Sequence, residues 1–181
     1  MPKPPPLVTD ALAELQAFQA NDPTLLLEYA TGLVRGYCGW HIAPEVSETL
    51  IVDGSGTREL LLPSLHVTDV SWISNDGETV PLTDVAWWHY GRLVRLVQYT
   101  DCGVWTAKPR GVEVDVTHGY ADTPADVRAV IASVTARASV TPSGVVSESA
   151  GSVSITYTDA ASGLTTDELR VLDRYRIWNR P

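Results

Sequence analysis

Histidine is the residue of this chain with the widest possible chemistry, because it can bind metals and exchange protons near neutral pH. The chain has four histidines, which are His41, His66, His89 and His118. They lie far apart in sequence and form none of the short patterns, such as HxH or HExxH, that are typical of zinc sites. His118 falls on the apolar face of a predicted strand at residues 112–120, which favours a hydrogen-bonded histidine in the core. We therefore predict no metal site.

Other candidate groups for catalysis have simpler structural explanations. Glu113 and Asp115 point to one face of the same predicted strand and could pair as acid and base, but a solvated polar face is the commoner arrangement. The stretch Asp53-Gly-Ser-Gly-Thr-Arg58 suggests a phosphate loop, yet it lacks the G-x-x-x-x-G-K-[ST] pattern and lies between two predicted strands. No G-x-S-x-G nucleophile motif occurs. We predict that the protein is not an enzyme, has no catalytic residues and binds no cofactor.

Composition indicates an ordinary globular protein. A chain of 181 residues, 44 % of them hydrophobic and with a mean hydropathy near zero, can bury the core of one or two small domains. No apolar run approaches the length of a membrane span, and the N-terminal residues lack the apolar region of a secretion signal. Cys38 and Cys102 lie in separate elements without CxxC spacing, so we predict two reduced, partly buried thiols rather than a disulfide.

Four segments carry helix start signals. Thr9 can cap a first helix that ends near Gln19, and Asp22-Pro23 opens a second helix with an N-cap followed by proline. Thr123-Pro124 opens a third helix in the same way, and Thr165-Thr-Asp-Glu168 is a capping box that opens a fourth. The predicted apolar faces are Leu26, Tyr29, Ala30, Leu33 and Tyr37 in the second helix and Val127, Val130, Ile131, Val134 and Ala138 in the third.

Residues 42–120 have a different pattern, in which short β-forming runs alternate with turn residues. The predicted turns are Asp53-Gly-Ser-Gly56, Asn75-Asp-Gly77, Tyr90-Gly91 and Lys108-Pro-Arg-Gly111. Each turn and its flanking runs, the last of them Val104-Trp105 and residues 112–117, predict a hairpin, so that hairpins follow one another in series. The predicted fold class is therefore α+β, with an antiparallel β-domain that is a small sandwich or barrel.

Residues 139–163 are rich in serine, threonine, glycine and alanine, and residues 152–157 among them alternate like a strand. We predict a long loop or an exposed hairpin here. Because an unpaired strand edge favours association with another chain, the segment is a candidate contact with a neighbouring subunit. The candidate inter-subunit residues are Val145, Val146, Val153, Ile155 and Tyr157.

Charge separates an acidic body from a basic end. The net charge of −9 argues against binding of nucleic acid over the general surface. Residues 170–181, however, carry four arginines and one aspartate, a net charge of +3, whereas the rest of the chain carries −12. These arginines either complement the dipole of the last helix or form a docking tail for an acidic partner surface. The candidate docking residues are Arg170, Arg174, Tyr175, Arg176, Trp178 and Arg180.

Tryptophan is unusually frequent, with six residues in the chain and four of them in the predicted β-domain. These four are Trp72, Trp87, Trp88 and Trp105. Exposed indole rings on a β-domain can stack on sugar rings, so a carbohydrate-binding β-module that uses surface tryptophans is an alternative function. Core packing and subunit contacts explain them equally well. Because Trp87 and Trp88 are adjacent, they face opposite sides of a strand and one of them is predicted to lie outside the core.

The last third of the chain resembles a known protein family. A strand ends in Thr117-His-Gly-Tyr120, a helix of small residues follows Pro124-Ala-Asp-Val127, and the chain closes with Leu172-Asp-Arg-Tyr-Arg176. This combination resembles the head–tail connector proteins (adaptor, or head-completion proteins) of long-tailed phages. The resemblance covers residues 9–40 and 112–178, and the block between them resembles the longer form of the family, which has an inserted β-domain.

The resemblance implies a four-helix connector-type frame with the antiparallel β-domain inserted between helices 2 and 3. The implied domains are a flexible Pro-rich tail at 1–8, a helical connector core at 9–40 and 121–178 with the long loop or hairpin at 139–163 inside it, and the inserted β-domain at 42–120. The implied protein is a non-enzymatic virion subunit of the neck, assembled in the host cytoplasm without contact to a membrane.

The family's partners are implied in the same way. Family members form a homo-oligomeric ring, commonly twelve-fold, under the portal protein, and they extend a channel through which DNA passes without specific binding. They also offer the docking surface for a stopper or tail-terminator protein. The six candidate docking residues at the basic end would then contact the portal. We expect removal of the residues after Asp173 to prevent that contact and to leave the fold intact.

Overall fold

The computed structural model describes residues 22–96, 103–140, 147–150, 153–156 and 163–178. At residue 140 and in the ranges 147–150 and 153–156 the description is limited to the backbone. The predicted first helix at Thr9–Gln19 and the segment 1–8 lie outside the described residues. Within them the chain is a mixed α+β protein with antiparallel sheets, which confirms the predicted fold class.

The described residues form three α-helices and nine β-strands. The helices are α1 (Pro23–Cys38), α2 (Ala125–Val140) and α3 (Thr166–Leu172). The strands are β1 (Val46–Val52), β2 (Glu59–Leu61), β3 (Val67–Asn75), β4 (Glu78–Thr79), β5 (Val85–Trp88), β6 (Arg92–Arg95), β7 (Val112–His118), β8 (Ser147–Ala150) and β9 (Val153–Thr156). Short 3-10 helical turns occupy Leu82–Asp84 and Asp173–Tyr175.

The chain divides into two compact units. The helical unit consists of the described residues within Met1–Val34 and Ala125–Leu172, and the β-unit consists of those within Arg35–Pro124 and Asp173–Pro181. The boundary between the units falls inside helix α1, between Val34 and Arg35. All six tryptophans of the sequence belong to the β-unit, so tryptophan fluorescence reports on that unit alone.

Two antiparallel sheets build the β-unit. The larger has the strand order β1-β7-β3-β4 and the smaller has the order β2-β6-β5. Side chains from both sheets share one hydrophobic core, because the alternation of each strand sends every second residue inward. The largest members of this core are Leu60, Leu62, Ile73, Leu93 and Trp105. Burial of these side chains from water is the main source of stability for the unit.

Two of the predicted hairpins are confirmed. Strands β3 and β4 pair across a tight turn in which Asp76 and Gly77 both have positive φ (59° and 86°), the conformation that such two-residue turns require. Strands β5 and β6 pair across the turn at Tyr90-Gly91, with Trp88 opposite Arg92.

The prediction of hairpins in series is wrong at the two ends of the β-unit. Strand β1 pairs with β7, from Val46 opposite His118 to Val52 opposite Val112, whereas β2 belongs to the other sheet and pairs with β6. The glycine-containing segment after β1 therefore connects two sheets instead of two paired strands. Trp105 is buried without belonging to a described strand. The turn residues reflect only local backbone preferences. The observed pairing instead places β1 and β3 on the two edges of the central strand β7.

Helix α1 begins at the predicted cap. The Asp22 side chain accepts hydrogen bonds from the backbone N–H groups of Thr24 (2.8 Å) and Leu25 (3.2 Å). Its buried positions repeat every four residues and are Leu26, Ala30, Val34 and Cys38. Tyr29, Leu33 and Tyr37, which the sequence placed on the apolar face, are half-buried. The apolar face is thus rotated slightly from the predicted one.

Helices α2 and α3 of the helical unit are joined by an ion pair. Arg137 donates to both carboxylate oxygens of Glu168, at 2.7 and 2.8 Å, and also to the carbonyl oxygen of Gly163 at 3.0 Å. The predicted capping box is confirmed, since Thr165 N–H donates to Glu168 (2.8 Å) and Glu168 N–H donates to Thr165 (3.3 Å). Burial alone would raise the pKa of Glu168, but the hydrogen bonds from Arg137 and Thr165 outweigh it and lower that pKa to about 2.

The predicted apolar face of α2 is largely confirmed. Val127, Val130, Val134 and Ala138 are buried, and Ile131 is half-buried. Of the two alternatives for residues 139–163, the structure has a hairpin, in which β8 and β9 pair from Ser147 opposite Thr156 to Ala150 opposite Val153. Val145, Val146 and Tyr157 lie outside the described residues, and Val153 and Ile155 are in β9. The contact of this segment with another subunit therefore stays a prediction.

Candidate functional site

Three of the four histidines meet at one end of the central strand β7. His118, its last residue, is 2 % exposed and its Nε2 lies 2.9 Å from a carboxylate oxygen of Glu48 on β1, which confirms the predicted core histidine. The ring of His41 stands edge-on to that of His118, with the ring centroids 4.5 Å apart. The ring of His66 stacks on that of Tyr120, which follows β7 in the chain. His89 lies apart, in the β5–β6 turn.

His41 is held as a neutral donor. Its Nε2 donates to the carbonyl oxygen of Pro44 at 3.0 Å. Burial lowers the pKa of His41, and the neighbouring His118 lowers it further, while the hydrogen bond to Pro44 acts in the opposite direction. An imidazole that stays neutral and donates to a backbone carbonyl orders the loop that carries it. The geometry therefore indicates a structural histidine at this position.

Gly119 and Tyr120 extend the cluster from β7. Gly119 has a φ of 99° and donates its N–H to the carbonyl oxygen of His66 at 2.8 Å. Tyr120 stacks on the His66 ring with a centroid distance of 4.1 Å and an angle of 5° between the ring planes. The Tyr120 ring also meets Trp40 at 6.3 Å and the edge of Tyr175 at 6.0 Å. We call this set the aromatic–histidine cluster: Trp40, His41, His66, His118, Tyr120 and Tyr175.

The cluster holds the C-terminal segment, which we define as Asp173–Trp178. The indole N–H of Trp40 donates to the carbonyl oxygen of Tyr175 at 2.6 Å, and the N–H of Ile177 donates to the carbonyl oxygen of Cys38 at 2.9 Å. Tyr37 donates its hydroxyl hydrogen to Asp173, and this hydrogen bond raises the pKa of the phenol. The segment is thus attached to the end of helix α1 and to the loop after it by side-chain and backbone bonds.

Arg176 adds a second kind of attachment. Its guanidinium lies over the ring of Tyr37, at 4.6 Å from the centroid, and over the ring of Trp178, at 4.4 Å. Arg176 also donates to the Tyr37 hydroxyl at 3.3 Å. Cation–π contacts of this kind contribute about 0.5–1 kcal/mol at exposed sites. Arg176 therefore fixes the position of Trp178, which is itself 61 % exposed.

The candidate docking residues separate into two groups. Tyr175 and Arg176 are half-buried and serve the fold, whereas Arg174 and Trp178 are exposed on the C-terminal segment. Arg170, on helix α3, is exposed and pairs with Asp167 at 2.9 Å, and Arg180 lies outside the described residues. The expectation that the residues after Asp173 can be removed without effect on the fold is wrong, because Tyr175, Arg176 and Ile177 bond to the rest of the β-unit.

Cys38 gives a direct chemical test of this arrangement. Burial beneath the C-terminal segment raises the pKa of its thiol to about 11, with Arg176 acting in the opposite direction. A thiol with that pKa has little of the reactive thiolate at neutral pH. We expect alkylation of Cys38 by iodoacetamide at pH 7.5 to be more than about 100-fold slower in the native protein than in urea. Peptide mass spectrometry would measure it, and equal rates in both states would contradict the buried site.

The other sequence candidates for chemistry lie in structural settings. Asp115 accepts a hydrogen bond from Thr49 at 2.5 Å on the polar outer face of the larger sheet, as a solvated polar face predicts. Asp53 accepts from the backbone N–H of Arg110 at 2.7 Å, and Gly54 and Gly56 donate to the carbonyls of Lys108 and Thr106. The predicted turn is thus paired with the segment before β7. Among the described residues no group of three or more acidic, histidine or cysteine side chains is placed to hold a metal ion.

Sequence reasoning missed the partners that make the C-terminal segment part of the fold. From the sequence, Tyr37 was predicted only as part of the apolar face of a helix, and Trp40 had no predicted role. No local pattern links either residue to residues near 175.

Within the part of the chain that the structure describes, no helix has the length and apolar character to cross a membrane. No protein-family model matches this chain, and no curated protein sequence matches it.

Proposed function

We propose that this protein is a head–tail adaptor subunit of a long-tailed phage. In this proposal the helix predicted from sequence at Thr9–Gln19 forms the four-helix frame together with α1, α2 and α3, and residues 42–120 are the inserted β-domain. About twelve copies form a ring under the portal in the neck of the virion, extend its channel and offer a docking surface to a stopper or tail-terminator protein. The proposal has no catalytic step and no cofactor.

The observation that carries the proposal is the fixed, exposed end of the C-terminal segment. Trp178 and Arg174 project from a segment that is already held by the aromatic–histidine cluster and by Arg176. Tryptophan and arginine are the residues that most often dominate binding energy at protein interfaces. Because the segment is ordered before binding, a partner would not have to supply the free energy of ordering it. An acidic portal surface fits the two exposed residues best.

Charge supports the second part of the proposal, which is passage of DNA. A protein that neutralises phosphates releases counterions and retains the DNA, whereas an acidic surface does not. The net charge of −9 therefore suits a channel through which DNA slides without specific binding. The hairpin β8–β9 and its flanking residues are the proposed contact with the adjacent subunit of the ring.

The docking proposal predicts a large effect from two exposed residues. The double variant Arg174→Glu, Trp178→Ala should weaken binding to the cognate portal protein by roughly 30-fold or more, since each position is expected to act as a hot spot. Co-sedimentation followed by electron microscopy would measure both binding and ring formation. Arg128→Glu, which reverses another exposed charge, on α2, is the control and should bind normally. Normal binding by the double variant would contradict the proposal.

A further inference from the structure

The outer face of the smaller sheet carries an exposed row of side chains that the adaptor function does not use. In the antiparallel register Arg92 of β6 lies opposite Trp88 of β5 on one side and opposite Leu61 of β2 on the other, so the three share one face. The neighbouring row, Leu93 with Trp87 and Leu60 opposite it, lies on the other face of the sheet. Leu93 and Leu60 are buried there in the core, whereas Trp87 stays 38 % exposed. We call the three outward-facing residues the outer row: Trp88, Arg92 and Leu61.

The outer row combines apolar surface with polar groups held in place. Trp88 is 37 % exposed and Leu61 is 42 % exposed. The Tyr90 ring lies at an angle of 29° to that of Trp88, with the centroids 6.4 Å apart, and the Arg92 guanidinium lies 5.2 Å from the Trp88 centroid. Arg92 is further fixed by its ion pair with Glu59, whose side chain is 54 % exposed. The rings and the ion pair thus form one surface.

We propose that the outer row binds a neutral, β-linked hexopyranose oligosaccharide. The flat side of such a sugar, with its hydroxyls equatorial, presents C–H groups to an indole ring. Its hydroxyls can both donate to Glu59 and accept from Arg92, so the ion pair satisfies a ligand that has donors and acceptors but no charge. Because the two charges of the ion pair sum to zero, the surface favours a ligand without net charge.

The same charge argument excludes the main competitors for an aromatic surface. A single-stranded nucleic acid also stacks on tryptophan and tyrosine, but it requires a positively charged groove along its backbone. Here Arg92 is neutralised by Glu59, and the protein as a whole carries −9. An acidic polysaccharide would be repelled for the same reason. The spacing limits the size of the ligand, because three adjacent strands span roughly 10 Å, about the length of a disaccharide.

Adjacent tryptophans give the test a matched control. Trp87 and Trp88 are almost equally exposed, at 38 % and 37 %, but only Trp88 lies in the outer row. We would titrate the full-length protein with cellohexaose, chitohexaose and maltohexaose and follow binding by calorimetry. Hexagalacturonate and a proline-rich decapeptide serve as the charged and the peptide competitors. The proposal does not depend on the adaptor function, since purified protein without portal is sufficient.

We expect binding of at least one of the β-linked hexasaccharides, cellohexaose or chitohexaose, and weaker binding of the α-linked maltohexaose. Truncation of a tryptophan at the centre of a binding surface commonly costs a hot-spot energy, so Trp88→Ala should weaken binding roughly 30-fold, whereas Trp87→Phe should not change it. Glu59→Gln, a conservative second variant on an exposed side chain, should also weaken it. Binding of none of the sugars, binding of only hexagalacturonate or the decapeptide, or equal loss in Trp87→Phe would overturn the proposal.

Discussion

Replacing Gly119 with alanine is expected to destabilise the β-unit by roughly 3 kcal/mol or more. A Cβ atom at this position would lie 2.5 Å from Nε2 of His41 and 2.7 Å from the carbonyl oxygen of Pro44, so it would break their mutual hydrogen bond. The φ of 99° adds backbone strain for any residue with a side chain. Since domains are stable by only about 5–15 kcal/mol, the loss should appear as a large drop in the urea midpoint.

Tryptophan fluorescence is the appropriate measurement, because all six tryptophans belong to the β-unit. Gly77→Ala is the matched control: Gly77 also has a positive φ, 86°, but a Cβ atom there would meet nothing within 4 Å. That variant should lose only the backbone term of about 1–2 kcal/mol. If the two variants had the same midpoint, the close packing of His41 against Gly119 would be refuted.

Replacing Glu168 with alanine is the second change with a large expected effect, about 3 kcal/mol on the helical unit. The carboxylate is 11 % exposed, it accepts two hydrogen bonds from Arg137, and it completes the capping box of α3. Its removal leaves the largely buried guanidinium of Arg137 without its main hydrogen-bond and charge partner. The thermal loss of helical circular dichroism at 222 nm would measure the change. Asp167→Ala, which removes an exposed ion pair to Arg170, should change stability by less than about 0.5 kcal/mol.

The same carboxylate predicts a pH dependence with a definite sign. Because folding lowers the pKa of Glu168 from 4.5 to about 2, the unfolded state binds the proton more readily. The stabilisation by Glu168 is therefore fully present above pH 4.5 and is lost as the pH falls toward 2. Glu168→Gln keeps the shape but cannot titrate, so the difference in unfolding free energy between wild type and variant should shrink across this range. A difference that stayed constant with pH would contradict the assignment.

The parts of the fold that were predictable from sequence are those set by local physical rules. The cap at Asp22, the capping box at Thr165 and the turn at Asp76-Gly77 each depend on residues within four positions of one another. For such features the residue type and the backbone conformation determine each other directly. The inward orientation of His118 also followed from the two-residue repeat of its strand.

The parts that were not predictable depend on residues far apart in the chain. The turn residues after β1 predicted a hairpin with β2 as strongly as those after β3 predicted a hairpin with β4. Strand β1 nevertheless pairs with β7, the strand that lies between β1 and β3 in the larger sheet. The arginines and aromatic residues at the end predicted a docking tail. Composition alone does not show whether such an arginine packs on a ring of the same chain or remains in solvent, where it could bind a partner. Only the position of Tyr37 under Arg176 makes that distinction.

The attachment of the C-terminal segment also sets an order of events during protein synthesis. Tyr37 bonds to a residue 136 positions later, and Trp40 to one 135 positions later. The ribosome synthesises the two partners of each contact far apart in time, so the β-unit stays incomplete until residue 175 has been translated. Prematurely terminated chains cannot present Trp178 at all, and chains ending shortly before it lack the bonds that hold the segment. Completion of this unit thus requires that translation has passed residue 177.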